Sequence, residues 1–110
     1  MEKEHEDGRY NGWANYETWT VSLWLDNEEH SYRYWRTEVE RHRKGAPADP
    51  RVRAGSWTAD EAARFNLADQ LKNEVTDGVP LCQAGMYSDL LHAALSEVDW
   101  LEIVDSWMSE

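Results

Sequence analysis

Apolar positions recur at helical spacing along most of the chain, which predicts a small all-α domain. In residues 10–24 the apolar positions Tyr16, Trp19 and Leu23 follow one another at intervals of three and four. Thr20 and Trp24 lie beside them on the same helix face. Asn15 is placed to cap the start of this helix, and Asp26 and Asn27 are placed to end it. The spacing predicts that this aromatic stripe is the spine of the hydrophobic core.

Two longer helices are predicted in the middle of the chain. Residues 28–44 repeat apolar or half-polar positions at Tyr32, Trp35, Val39 and His42. Residues 57–76 open with a capping box, in which Thr58 is the N-cap and Glu61 the third helical residue. Trp57 precedes the cap as the first half of a hydrophobic staple. The stripe that this helix would bury contains Ala62, Phe65, Leu67, Ala68, Leu71 and Val75.

The C-terminal part of the chain predicts two shorter helices. Residues 87–95 carry the apolar side chains Leu90, Leu91, Ala94 and Leu95. Asp99 can cap a last helix that runs to Met108, because Glu102 follows it at the third helical position. That helix would bury Trp100 or Leu101 together with Ile103, Val104 and Trp107.

These elements give one compact domain of four to five helices with a Trp-rich core. The chain has 110 residues, which favours a single domain. We expect residues 1–9 to be a flexible acidic tail and residues 10–110 to be the helical domain. Glycine and proline predict a loop, open to movement, at residues 45–56. Residues 77–85 predict either a second loop or a short extended piece at 79–82.

Charge is the strongest compositional signal. The chain carries 22 acidic and 11 basic residues, a formal net charge of −11. Such a charge disfavours direct binding to nucleic acids and to anionic membranes, and it favours a partner with a basic surface. Carboxylates strung along a helix can also occupy a groove that normally binds phosphates. The candidate partner-binding residues are Asp26, Glu28, Glu29, Glu97, Asp99, Glu102 and Asp105, with Glu110 beside them.

One segment has the opposite charge. Residues 30–55 carry seven basic and three acidic residues, whereas residues 78–110 carry six acidic residues and no Lys or Arg. The alternative interpretation is therefore a nucleic-acid-associated module that uses this basic arm. Its candidate residues are Arg33, Arg36, Arg41, Arg43, Lys44, Arg51 and Arg53.

We find no motif for catalysis, and the expectation is that the protein is not an enzyme. The histidines are scattered, no ligand cluster at metal-binding spacing is visible, and no P-loop or dinucleotide fingerprint occurs, so neither metal nor cofactor is expected. A third hypothesis, an enzyme centred on Cys82 and His92, rests on a lone thiol ten residues from an imidazole. A single cysteine and the lack of a secretory leader or membrane-spanning run indicate a reducing cytoplasm.

The N-terminal segment also resembles a family of small uncharacterised proteins of bacteriophages, prophages and plasmids. The family opens with an N-G-W-x-N-Y-E-T-W-x-V-x-L-W signature, matched here by Asn11-Gly12-Trp13, Asn15-Tyr16-Glu17-Thr18-Trp19, Val21 and Leu23-Trp24. Residues 67–72 and 89–103 resemble it as well.

The resemblance implies a mobile-element accessory protein and names no catalytic residue. Small acidic proteins of this origin often inhibit host defence complexes. Together with the charge, this gives the leading hypothesis: an anti-CRISPR-like inhibitor that binds a host protein or nucleoprotein complex with a basic surface. The most specific version of this hypothesis is DNA mimicry. The partner's identity and the oligomeric state stay open.

Overall fold

Helices form most of the described part of the chain, which in the computed structural model comprises residues 9–79 and 85–110. The helices found there are α1 (Tyr16–Asn27), α2 (Glu29–Gly45), the short α3 (Pro50–Arg53), α4 (Ala59–Asp77), α5 (Met86–Ser96) and α6 (Trp100–Met108). A 3₁₀ turn, Ala46–Ala48, follows α2 directly. The predicted all-α domain is confirmed, with five helices of nine residues or more in these ranges.

The predicted helix starts are confirmed by their hydrogen bonds. The Asn15 side chain accepts from the Thr18 backbone N–H at 2.9 Å, which caps α1. At α4 the Thr58 hydroxyl and the Glu61 carboxylate cap each other's backbone N–H groups at 3.0 and 2.9 Å. The Asp99 carboxylate accepts from the Glu102 N–H at 3.1 Å and caps α6. Each side chain satisfies a donor that the first helical turn leaves without a partner.

The core lies where α2, α4 and α6 meet. Its buried residues include Trp35, Val39, Leu67, Leu71, Ile103, Val104 and Trp107. The rings of Trp35 and Trp107 stack with their centroids 5.6 Å apart. The core is therefore Trp-rich as predicted, and its large tryptophans come from α2 and α6.

The predicted burial of the α1 aromatic stripe is wrong. Trp24 is 70% exposed and Tyr16 is 49% exposed, and Leu23 is exposed as well. The face that α1 turns to the core instead consists of the buried Thr18 and Ser22 with the partly buried Val21 and Leu25. Trp19 lies between the two faces and is half-buried.

Close approach between α1 and the start of α6 explains this choice of face. The Thr18 hydroxyl accepts a hydrogen bond from the Asp99 backbone N–H at 2.8 Å and donates one to the Asn15 side chain at 2.6 Å. A tryptophan at this position would hold the two backbones apart, whereas threonine and serine allow them to meet. These two bonds satisfy the Thr18 hydroxyl, so burying this small polar residue costs little here.

A tight turn places the N-terminal segment against the same region of α6. Asn11 and Gly12 have φ values of 48° and 87°, and the residues on either side, Tyr10 and Trp13, exchange two backbone hydrogen bonds of 2.8 Å. Both turn positions lie in the left-handed region, which asparagine and glycine tolerate best. Asparagine followed by glycine is a strong local signal for such a turn.

The Pro/Gly segment at residues 45–56 is more ordered than the predicted loop. It forms the 3₁₀ turn and α3, because Asp49 accepts from the Arg51 N–H at 2.8 Å and Pro50 occupies the first helical position. Arg51 then covers the ring of Trp57, 3.8 Å from its centroid. Trp57 itself packs edge-on against Phe65.

Two further helix faces differ from the predicted pattern. Tyr32 on α2 is exposed and lies under the Arg36 guanidinium, 4.0 Å from the ring centroid. On α5 no described residue is fully buried, and Leu90 is largely exposed. The predicted extended piece at 79–82 lies mostly outside the described residues.

Removing the Asn15 side chain should destabilise the fold although it lies outside the apolar core. We expect Asn15→Ala to lower the free energy of unfolding by about 2 kcal/mol, because it removes a helix cap and a link to α6. Asn15→Asp keeps the capping oxygen and should lose about half as much. Urea denaturation followed by tryptophan fluorescence measures both values, and an alanine variant as stable as wild type would contradict this role.

Two tryptophans that the sequence places equally in the core should differ strongly in mutational cost. Trp107 is 3% exposed, and Trp107→Ala should cost about 3–5 kcal/mol. Trp24→Ala should change stability by less than about 1 kcal/mol, because most of its ring already faces solvent. The same urea titrations measure the free energy of unfolding of both variants. Equal losses in the two variants would contradict the exposed position of Trp24.

Candidate interaction surface

Three of the predicted partner-binding acids join elements of the fold. Asp26 accepts from the indole N–H of the buried Trp107 at 2.9 Å and pairs with Arg36 at 3.0 Å. Glu102 accepts from the Ala14 backbone N–H at 2.8 Å and also pairs with Arg9. The third, Asp105, holds Arg64 of α4 through two hydrogen bonds of 2.7 and 3.1 Å. These carboxylates are engaged inside the molecule.

The other predicted acids differ in the hydrogen bonds and ion pairs that they make within the molecule. Glu28 and Asp99 cap α2 and α6, and Glu29 pairs with Arg33 one turn along α2. Glu97 uses its backbone carbonyl to accept from the Asn15 amide, and its exposed carboxylate has no ion pair among the described residues. The structure therefore brings Glu97, Asp99 and Glu102 together at the start of α6, where they contact the N-terminal segment.

Most cations of the basic arm pair with carboxylates of the same molecule. Its ion pairs are Arg33 with Glu29, Arg36 with Asp26 and Glu110, Arg41 with Glu38, Arg43 with Glu40, and Arg51 with Asp49. In the described ranges, Arg53 is the one arginine of this arm without an ion pair. A surface whose guanidinium groups already have carboxylate partners attracts phosphates weakly.

Unpaired charge on the described surface is mostly negative. Among residues 9–79 and 85–110, Lys44, Arg53 and Lys72 have no carboxylate within 4.0 Å. In the same ranges ten carboxylates have no cation at that distance: Glu17, Glu28, Asp60, Glu61, Asp69, Glu74, Asp77, Asp89, Glu97 and Asp99. Ion pairing thus removes most of the positive charge and leaves an acidic exterior.

A polar seam between α2 and α4 is the most connected side-chain network, and it centres on Gln70. The Gln70 amide donates to Glu38 and Glu74 at 2.8 Å, and its oxygen accepts from Arg41 at 2.9 Å. Hydrogen bonds from Arg41 and Gln70 hold the pKa of Glu38 below its usual value. Partial burial and the hydrogen bond to Glu74 raise the pKa of Tyr34. Every polar side chain named in this seam has a hydrogen-bond partner there, so the seam holds α2 and α4 together.

The seam ends at a shallow open depression of about 240 Å³. Asp49 lies in its wall and accepts hydrogen bonds from the Arg51 side chain, the Arg51 backbone and the Asn66 amide. These bonds hold the pKa of Asp49 well below its usual range, with the Arg51 side chain contributing most. The polar groups are mutually satisfied, and this leaves no side chain directed at a ligand.

Exposed apolar side chains lie on two other helices. The outer face of α1 presents Tyr16, Leu23 and Trp24, which form one stripe at helical spacing. The outer face of α5 presents Met86, Tyr87 and Leu90. Single exposed apolar residues are ordinary, but a large aromatic ring that faces solvent on a firmly packed helix is typical of a contact surface.

The sequence contained a signal for the face that α1 buries. Thr18, Val21, Ser22 and Leu25 follow the same three-and-four spacing as the aromatic stripe, so periodicity alone could not choose between the two faces. The seam was missed because it depends on which helix packs beside α2. Its local signs were the intervals of three and four residues that separate Glu38 from Arg41 and Gln70 from Glu74.

The Cys82–His92 hypothesis gains no geometry from the structure. Cys82 lies outside the described residues. His92 is exposed on α5, and its Nδ1 lies 2.8 Å from the Ser88 carbonyl oxygen. Within the described ranges no group of three or more His, Cys, Asp or Glu could hold a metal ion, and no helix there is long and apolar enough to cross a bilayer.

Acid should destabilise the protein partly through Asp49. Its pKa is lower in the folded chain than in the unfolded one, so its contribution is complete above about pH 4 and is lost as the pH falls. Asp49→Asn should therefore reduce the drop in urea midpoint between pH 6 and pH 3, and Glu38→Gln should act in the same direction. A drop as large as that of wild type in both variants would contradict these assignments.

Comparison with known proteins gives a family and no activity. No curated protein and no solved structure matches the chain. A family model does match, over residues 6–100, which includes the N-terminal turn, α1, the α2–α4 seam and the start of α6. The protein belongs to DUF7249, a family of unknown function.

Proposed function

We propose that this protein is an accessory protein of a mobile genetic element that binds and inhibits a defence nucleoprotein complex in the cytoplasm of the bacterial host. It acts without catalysis, by placing acidic surface against a basic groove that would otherwise hold DNA or RNA. In this respect it is anti-CRISPR-like, and the sharper form of the proposal is DNA mimicry.

The observation that supports this proposal is the distribution of unpaired charge. Eight salt bridges occupy seven arginines, which leaves three unpaired cations against ten unpaired carboxylates in the described ranges. A partner therefore meets a surface that is more negative than the sequence of the basic arm suggests. Charge of one sign steers a basic partner and competes with phosphates for the same cations.

The exposed carboxylates best suited to contact a partner are those that the fold does not use. Asp69 and Asp77 lie exposed on α4, and Asp89 lies exposed in the first turn of α5. Glu28, Glu97 and Asp99 are also exposed and add to the field, although two of them are caps. Glu102 and Asp105 contribute through the fold, because changing either one breaks a contact between elements.

The experiment measures competition with nucleic acid. The purified protein is added to a panel of CRISPR effector complexes and restriction enzymes with labelled target DNA, at about 50 to 200 mM salt. We expect DNA binding by at least one complex to be blocked, and the block to weaken as salt rises. Neutralising three unpaired acids (Asp69→Asn, Asp77→Asn and Asp89→Asn together) should weaken inhibition about 10-fold.

The matched control neutralises the unpaired cations of the basic arm. Lys44→Gln with Arg53→Gln should leave inhibition unchanged or stronger. If the control lost activity while the acidic variant kept it, or if the protein itself retarded DNA in a gel, the basic-arm alternative would replace this proposal. No inhibition of any complex, with the protein folded, would contradict the proposal outright.

A further inference from the structure

Arginines of the described chain lie over aromatic rings while carboxylates accept from them, and the two closest of these ring contacts are made by Arg51 and Arg36. Arg51 lies 3.8 Å above the ring of Trp57 while Asp49 accepts two hydrogen bonds from its guanidinium group. Arg36 lies 4.0 Å above Tyr32 while Asp26 and Glu110 accept from it. Both arrangements combine the attraction of a cation to a ring face with a charge-assisted hydrogen bond.

The exposed stripe of α1 carries the same two components without an arginine. Trp24 is 70% exposed, and Glu28 follows it by one helical turn, since the Glu28 N–H donates to the Trp24 carbonyl. The Glu28 carboxylate caps α2 by accepting from the Ser31 N–H at 2.7 Å, and it has no ion pair among the described residues. At the other end of the stripe, the ring of Tyr16 packs against those of Tyr10 and Trp19 and stays about half exposed. Glu17 follows Tyr16 directly, and its carboxylate has no ion pair among the described residues. No Lys or Arg occurs in residues 10–32, and no described guanidinium lies over either ring.

This stripe is held in a fixed position. Its helix is capped by Asn15, joined to α6 through the Thr18 hydroxyl, and packed on the core through Val21 and Leu25. Rings presented by a rigid helix lose little conformational entropy on binding.

The negative charge next to the stripe limits which kind of partner can bind it. A second copy of the chain would bring like-charged carboxylates together, because every copy carries Glu17 next to Tyr16 and Glu28 one helical turn after Trp24. A purely apolar partner would bury those carboxylates without compensation. An arginine satisfies both features, since its planar guanidinium stacks on a ring and donates to a carboxylate in the same plane.

We infer that the α1 stripe, defined by Tyr16, Leu23 and Trp24 with Glu17 and Glu28, docks an arginine-bearing segment of a partner protein. The inference rests on the proposed function, because it names the chemistry by which the acidic surface would recognise a basic partner. Lysine-bearing segments bind more weakly there, since an ammonium group cannot stack as a plane.

The test titrates two synthetic peptides, six Arg-Gly repeats and six Lys-Gly repeats, into ¹⁵N-labelled protein at about 50 mM salt. The indole N–H signal of Trp24, assigned by its loss in Trp24→Phe, should move with the arginine peptide. The arginine peptide should bind at least about 5-fold tighter than the lysine peptide. Trp24→Ala should weaken arginine-peptide binding about 10-fold.

Tyr87→Ala is the matched control, because Tyr87 is also 70% exposed but lies on α5. It should leave binding within about 2-fold of wild type. Equal binding of the two peptides, an unchanged Trp24 signal, or equal effects of the two alanine variants would each overturn the inference. If Trp24→Ala still inhibits a nucleoprotein complex and the triple acidic variant does not, this inference is wrong and the proposed function stands.

Discussion

The fold depends on the junction between the start of α1 and the start of α6. Asn15 caps α1 with its oxygen and donates from its amide nitrogen to the Glu97 carbonyl at 2.6 Å. Thr18 accepts from the Asp99 N–H, which also needs a partner because it lies just before a helix. Residues more than 80 positions apart thereby satisfy one another's backbone groups. This gives a structural role to Asn15 and Thr18 of the N-terminal segment.

That junction also determines which surface is available. Because α1 must approach α6 closely, its small residues face inward and its aromatic residues face outward. The ion pairs have a related effect on charge. They join α4 to α6 and α2 to Glu110 just after it, and they leave carboxylates in excess on the described surface. Stability and the candidate interaction surface are therefore two consequences of one packing arrangement.

Much of the fold was predictable because its signals are local. Caps such as Asn15, Thr58 and Asp99 act within one helical turn, and a stripe such as Ile103, Val104 and Trp107 offers a single apolar face. The Pro/Gly segment was less predictable. Its short α3 depends on Arg51 packing on Trp57 and on Asn66 donating to Asp49, contacts that no local pattern contains.

The sequence by itself determined the helices, their capped starts, the Trp-rich composition of the core and the negative net charge. Tertiary structure alone decided which face of α1 is buried, because two faces carry the same periodicity and only contact with α6 distinguishes them. It also decided which charges are free. Counting Arg and Glu along the chain cannot show that Arg36 reaches Glu110 or that Arg64 reaches Asp105. Charge pairing is a property of distance in space, and that distance is fixed by how the helices pack.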